Sequence, residues 1–275
     1  MNYKILDKEQ EKQRRIDILK SIADFCQKND IIYYLAYGTM LGAVRENGMI
    51  AWDYDIDVML PRPDYERFVS LYEDDRYRVQ YYSINKNYGG KLAIVEDLGT
   101  INITDEKMDD NDPLKRISVE LYPIDGAFGN RLLFSIHAIL IDFLGKCNTI
   151  KSISVDNRRK WYKNLFLSIL KLLLLPINNN FLVKCIHALS SSKKYEESRF
   201  SVISCIGFNS RRTKHKKNVY EVQTMAVFEG DSYPILKEYD LWLTAVYGNY
   251  MTPPPEQDIN RSKKLQTYYQ YGELI

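Results

Sequence analysis

At 275 residues with 45% hydrophobic content, the chain has material for one large domain or for a catalytic core with a helical addition, and a formal net charge of +2 is too small to mark a nucleic-acid binder. Cys26, Cys147, Cys185 and Cys205 are widely spaced and form no Cys-x-x-Cys pair, which argues against a disulfide framework or a zinc site and fits reduced thiols. The charged opening, Met1 to Arg15, has no apolar h-region, so no signal peptide and a cytoplasmic location are expected.

In chain order, residues 8–28 place Ile16, Leu19, Ile22, Ala23 and Cys26 at helical spacing and predict an amphipathic helix. Ile31 to Ala36 predicts a short apolar strand. Gly38-Thr39-Met40-Leu41-Gly42-Ala43-Val44-Arg45 predicts a small-residue turn into a short helix, and an Asp-bearing strand comes next, around residues 55–60. Residues 61–74 predict the next helix, starting near Pro63 with Phe68 and Leu71 inward. Tyr77 to Ile84, Lys91 to Glu96 and Ile117 to Tyr122 read as strands. Asp105 to Pro113 is acidic and aperiodic and reads as an exposed loop.

From Arg131 the texture changes. Leu132 to Leu144 and Leu165 to Ile177 are apolar runs of thirteen residues, interrupted by His137 and Asp142 in one and by Ser168 and Lys171 in the other. A membrane-spanning helix needs roughly 20 apolar residues, so neither run is expected to cross a bilayer. Two buried helices are the favoured reading. A peripheral membrane contact is the alternative, because Arg158-Arg159-Lys160-Trp161-Tyr162-Lys163 leads basic and aromatic residues into the second run. The basic run Arg211 to Lys217 reads as a solvated loop, with an anionic acceptor or lipid as the alternative. Pro234 to Tyr247 predicts a late helix, and Pro253-Pro254-Pro255 stiffens the chain beyond it.

The chemistry concentrates in Trp52-Asp53-Tyr54-Asp55-Ile56-Asp57-Val58. Side chains alternate faces on a strand, so Asp55 and Asp57 share one face, and two carboxylates there repel unless a cation lies between them. Hard oxygen ligands favour Mg²⁺ or Mn²⁺. An EF-hand is rejected, because its glycine and its closing glutamate positions hold Val58 and Asp64. Gly38 and Thr39 at a helix N-terminus supply N–H groups for an anion, so a phosphate-bearing substrate is expected. Arg45 and Lys91 are candidate phosphate-binding cations or partners of the aspartates. Trp52 is either the floor of the site or simple core.

Gly-Thr-x-Leu-Gly-x-x-Arg, then Gly48, then Trp-Asp-x-Asp-Ile-Asp-Val resembles the signature of the LicD family, which belongs to the nucleotidyltransferase-fold superfamily and includes fukutin-related proteins. Lys91-Leu92 with Thr100, Val119 to Gly126, and Tyr247 to Pro255 resemble further family segments. The resemblance implies an α+β fold, a nucleotidyltransferase-like mixed sheet flanked by helices with an inserted or appended helical region. The expected division is a catalytic core over 1–128, a helical region over 129–217 that is membrane-surface or acceptor-binding, and a segment 218–275 packing back on the core. It also implies a third metal carboxylate from a neighbouring strand, and Glu120, in the apolar stretch Val119-Glu120-Leu121, is the candidate. Asp125 competes, but Asp125-Gly126 reads as a turn pair.

The activity implied is Mg²⁺- or Mn²⁺-dependent transfer of phosphocholine, or a related alcohol phosphate, from CDP-choline or another CDP-alcohol to a hydroxyl of a glycan or lipid-linked glycan. Teichoic acid, lipopolysaccharide and capsule precursor are the candidate acceptors, at the inner face of the plasma membrane. Asp55, Asp57 and Glu120 would hold the metal. Asp53 would orient water or act as base, and Gly38, Thr39, Arg45, Lys91 and Trp52 would bind substrate. Ribitol- or glycerol-phosphate transfer is the alternative. A glycosyltransferase, a template-independent polymerase and a non-catalytic nucleotide- or glycan-binding scaffold are the rivals. The 22 tyrosines suit sugar stacking or a choline head, but half-buried surfaces account for most of them.

Overall fold

The structure is a computed structural model that describes residues 3–102, 116–153, 160–255 and 268–271. The elements run β1 (Tyr3–Ile5), α1 (Lys8–Lys28), β2 (Tyr34–Leu35), α2 (Tyr37–Arg45), β3 (Asp57–Pro61), α3 (Arg62–Leu71), β4 (Tyr77–Gln80), β5 (Ala93–Asp97), β6 (Thr100–Asn102) and β7 (Ser118–Ala127). Next come α4 (Arg131–Ser152), α5 (Trp161–Leu174), α6 (Asn179–Ser190), β8 (Phe200–Val202), β9 (His215–Lys216), β10 (Gln223–Phe228), β11 (Asp231–Leu236), α7 (Tyr239–Tyr247) and β12 (Tyr268–Tyr271). The fold is α+β, a mixed sheet flanked by helices. The chain divides into two compact units: residues 1–80, 92–124 and 216–275, and residues 81–91 with 125–215.

In the first unit, strands lie in the order β2-β3-β7-β5-β4. β3 and β7 pair in parallel; β2 pairs antiparallel with β3, β5 with β7, and β4 with β5. β3 and β7 are central and apolar around their acids: Val58, Leu60, Val119 and Leu121 are fully buried. α1 opens on a capping box in which Asp7 accepts the Gln10 N–H and Gln10 accepts the Asp7 N–H. Its buried residues Ile18, Leu19 and Ile22 follow helical spacing. β10 and β11 form a hairpin whose turn, Glu229 and Gly230, has φ of 50° and 87°, the left-handed pair a two-residue hairpin needs. Trp242 on α7 is fully buried and donates to the Tyr220 hydroxyl, while Tyr34 on β2 donates to the Tyr220 carbonyl. These two bonds tie the late part of the chain to the sheet.

In the second unit, the end of β7 pairs with β8. α4 packs on α5, on α6 and on the 3-10 helix at residues 204–212. Both histidines of this unit's helices are structural. His137 bonds the Leu189 carbonyl, and His187 bonds the Lys91 carbonyl and the Tyr81 hydroxyl while stacking on Tyr82.

Several expectations are corrected. The strand expected over Ile31 to Ala36 shrinks to two residues, the strand expected over Tyr77 to Ile84 ends at Gln80, and Leu71 is half exposed rather than inward. Pro234 to Leu236 complete a hairpin strand, so the late helix starts only at Tyr239. Asp125 and Gly126 are not a turn: both lie in β7, opposite Val202 and Ser201. The loop expected at Asp105 to Pro113 lies outside the described residues.

The apolar helices differ most. α4 spans 22 residues, and its stretch Arg131–Lys151 is long and apolar enough to cross a membrane. The apolar run understates the helix because Lys146, Asn148 and Thr149 continue it in polar residues. α4 is buried along one side, at Phe134, Ala138 and Ile141 among others, whereas α5 is not buried core: it buries Leu167 alone among its described residues. The basic run is not simply a solvated loop either. Lys214 donates to the Phe128 carbonyl and lies over the Phe134 ring.

Candidate functional site

The motif glycines are placed by close backbone approach. A Cβ on Gly42 would stand 2.3 Å from the Gly48 carbonyl oxygen, and one on Gly48 would stand 2.5 Å from the Glu229 carboxylate. Gly48 donates to the Gly42 carbonyl, and the Met49 N–H is held by Glu229, itself paired with Lys12. The turn after α2 is thereby packed against the β10–β11 hairpin. This leads the chain through Trp52 and Asp53 into β3.

α2 begins after Ala36, which offers no side-chain cap, so the first-turn N–H groups of Gly38 and Thr39 receive no bond from the capping position. The Thr39 hydroxyl is used instead as an acceptor for the backbone N–H of Asp57, at 2.8 Å. Ala36 donates to the Asp57 carbonyl and Glu120 donates to the Ile56 carbonyl. These bonds hold the start of β3 between the α2 turn and β7.

Asp57 is the first residue of β3 and its register partner on β7 is Glu120. The expected neighbouring-strand carboxylate is therefore beside it. Asp55 lies just before the strand and is exposed, whereas Asp57 is buried and its Oδ1 atom has no hydrogen-bond partner among the described residues. Burial, then the charges of Asp55, Glu120 and Asp53, push the Asp57 carboxyl well above the usual carboxylate range. Asp53 is raised to about 8 by burial and by its hydrogen bond and charge repulsion with Asp55. Glu96, buried on β5, also has an unpartnered oxygen, Oε2, but its Oε1 is held by the Arg78 guanidinium and by Gln80. A buried acid with no cationic partner among the described residues, amid three other acids, is unusual for a structural residue.

A cavity of about 280 Å³ opens next to Asp53. Gly38, Arg45, Trp52, Tyr247 and Tyr250 are among the residues lining it. The Arg45 guanidinium lies over the Trp52 ring, 5.7 Å from its centroid, and donates through Nη1 to the Tyr250 carbonyl. Its Nε pairs with Glu46, and its buried Nη2 has no partner among the described residues. The Tyr247 phenol is pushed up by burial and by the charges of Asp57, Asp53 and Asp55, which places it within their field. A roomier depression of about 790 Å³ between α1 and the β10–β11 hairpin contains none of the motif residues.

Thus Gly38, Thr39, Arg45, Trp52, Asp53, Asp55, Asp57 and Glu120 all belong to the first unit and to one connected neighbourhood. Lys91 belongs to the second unit, where it lines a small cavity with Asp142, Gly145 and Thr149. Thr100 is a structural residue: its hydroxyl donates to the Asp97 carbonyl and accepts from the Ile117 N–H. Sequence reasoning misses Tyr122, whose hydroxyl donates to Glu120 at 2.7 Å, and the cavity wall formed by Tyr247, Asn249 and Tyr250. The closing Tyr-Gly-x-Tyr motif is the signal for the wall. For Tyr122 the signal is its place two residues after Glu120, which puts both on one face of the strand.

The carboxylate oxygens are the hard donors that Mg²⁺ or Mn²⁺ takes, and the orphaned Asp57 Oδ1 fits an inner ligand. Among the described residues no three acids, histidines or cysteines are gathered closely enough to form a finished metal cage. The donors therefore fit the ion in chemistry but are not gathered around a common point.

Residues 30–96 match the family described as LicD/FKTN/FKRP, nucleotidyltransferase domain. The chain is similar to the lipopolysaccharide cholinephosphotransferase LicD of Haemophilus influenzae, at 25% identity over 253 residues, covering 88% of this chain and 91% of that protein. Shorter similarities join it to uncharacterized proteins of Rickettsia typhi, 30% identical over 24% of this chain and 23% of that one, and of Rickettsia prowazekii, 32% identical over 29% and 34%.

Proposed function

We propose that this chain, whose residues 30–96 carry a LicD-family nucleotidyltransferase domain, is a phosphotransferase that moves phosphocholine from CDP-choline to a hydroxyl of a cell-surface glycan such as lipopolysaccharide. The observation that carries this reading is the register pairing of Asp57 with Glu120, two acids on adjacent central strands with Asp55 and Asp53 alongside. Teichoic acid and capsule precursors are acceptors of the same chemistry, and ribitol or glycerol phosphate would be carried by the same diphosphate-binding centre.

Asp55, Asp57 and Glu120 would hold Mg²⁺ or Mn²⁺, which supplies charge neutralisation of the diphosphate and of the oxygens that attack and leave. The acceptor oxygen attacks the phosphorus that bears choline. The bond from that phosphorus to the bridging oxygen breaks, and CMP leaves with its electron pair. The acceptor's proton would pass to Asp53. Arg45, through its unpartnered Nη2, and the N–H groups of Gly38 and Thr39 would bind phosphate oxygens. Trp52, Tyr247 and Tyr250 would wall off water and offer ring faces to a quaternary ammonium.

The test is CMP release from a panel of CDP-alcohols with a glycan acceptor, with Mg²⁺ and with EDTA. Release from CDP-choline that needs both the cation and the acceptor is expected. Asp57→Asn should fold and lose at least ~100-fold in turnover, the scale of removing a key electrostatic group. CMP release undiminished in Asp57→Asn would overturn the reading, and nucleotide incorporation with pyrophosphate release would replace it with a polymerase.

A further inference from the structure

We infer that α4 and α5 form a docking face for the surface of an anionic lipid bilayer, so that the chain works as a peripheral membrane protein. Within the second unit, the first half of α4 exposes Leu132, Leu133, Ile136, Ile139, Leu140 and Phe143. These positions follow i, i+3, i+4 and i+7 spacing and make one apolar ridge. The opposite side of the same turns is buried, at Phe134, Ala138 and Ile141. α5 is more extreme: Trp161 is 76% exposed, Leu172 69% and Leu173 68%, on a helix that buries Leu167 alone among its described residues. Single exposed apolar residues are ordinary, but two neighbouring helices of this kind are not, and water is a poor solvent for them.

The charge pattern selects the occupant. Residues 131–190 contain nine Lys or Arg and two Asp, a net of +7 by difference, in a chain whose whole formal charge is +2. The remaining residues therefore carry −5. Lys160 and Lys163 bracket Trp161 and Tyr162 at the start of α5, and all four are exposed. An aromatic pair between cations at the head of a leucine-rich helix matches the headgroup layer of an anionic membrane, with rings at the interface and lysines on phosphates. A second copy of this chain would bring the same positive charge to the same face and is disfavoured.

α4 has the length to span a bilayer, but one side of it is already spent on the protein interior, where His137 bonds the Leu189 carbonyl. Lys151 donates to the Leu174 and Ile177 carbonyls, fixing the end of α5 to the end of α4. An in-plane posture satisfies these bonds and a spanning one breaks them.

The experiment is vesicle co-sedimentation of the full chain. Binding to equimolar phosphatidylcholine–phosphatidylglycerol vesicles is expected, at least ~10-fold weaker on phosphatidylcholine alone and weakened by salt. F166Q/L172Q and K160E/K163E should each lower partitioning by ~10-fold or more while circular dichroism stays unchanged. CMP release on a soluble acceptor should be the same in both variants, so the membrane result and the catalytic reading stand or fall separately. Absence of binding to either vesicle, or unchanged binding by F166Q/L172Q, would overturn the inference. So would a dimer in solution that F166Q/L172Q dissolves without any vesicle binding by the parent chain.

Discussion

The Thr39 hydroxyl accepts the backbone N–H of Asp57 at 2.8 Å, joining the first turn of α2 to the first residue of β3. Both partners are buried. This bond fixes where the Asp57 carboxylate starts, and so where it can reach. In the motif, the threonine therefore works through its side chain as a positioning group, apart from any phosphate contact made by its own N–H.

Thr39→Val removes the acceptor and leaves a buried donor unsatisfied. A loss of about 1–3 kcal/mol is expected by urea denaturation, with Thr39→Ser close to the parent. Turnover should fall further in the valine variant than in the serine variant. Equal stability of all three proteins would contradict the role assigned to the hydroxyl.

Gly38→Ala would place a methyl 1.9 Å from the Asp53 Oδ2 atom. The clash falls on a side chain end, so the fold should survive and Asp53 should shift. A displacement of about 1 Å at a reacting group costs on the order of 10²-fold in rate. Near-parental melting with strongly reduced CMP release is the expected outcome, and parental turnover would remove Asp53 from the chemistry.

Much of this neighbourhood is legible in the sequence alone. The alternation around Asp57 and the insertion of Glu120 in an apolar stretch both point to acids on central strands, because a carboxylate amid Val and Leu needs compensation. Asp55 reads as a strand residue yet sits just before β3, since alternation over three residues cannot say where pairing begins. Lys91 groups with Arg45 by charge and by a short resembling segment, and neither carries information about which compact unit a residue joins. The helices α4 and α5 depart from expectation for a physical reason: an apolar run reports that a face must be covered, not what covers it.

The imidazole of His215 is held below its ordinary value of 6.5, chiefly by burial. Folding therefore favours the neutral ring. Its contribution is complete above pH 6.5 and is lost as pH falls below that value, when the unfolded chain binds the proton more readily. The raised carboxyls of Asp53 and Asp57 act in the opposite sense and are common to both proteins, so on acidification from pH 7 toward 5 the melting temperature of the parent should fall relative to that of His215→Gln. A His215→Gln protein with the parental slope would contradict it.

Cys26, Cys147 and Cys205 are buried and Cys185 is partly exposed. Burial also pushes the Cys26 thiol far above its ordinary value, suppressing the nucleophilic thiolate. Native alkylation and mass mapping should mark Cys185 first, with Cys26 reacting only after denaturation. Early loss of Cys26 would mean that α1 opens readily.

The parallel alignment of β3 with β7 has a further consequence for how such a chain tolerates change. Sliding β7 by a single place would bring Val119 or Leu121 opposite Asp57 and turn an acid into the hydrophobic interior. Insertions or deletions anywhere between the two strands are thus harmless only when they leave that alignment untouched, and the stretch that matches the family, ending at residue 96, stops before the partner acid at 120 is reached. A shortened version trimmed to the recognisable domain would keep the motif and lose half of its acidic pair.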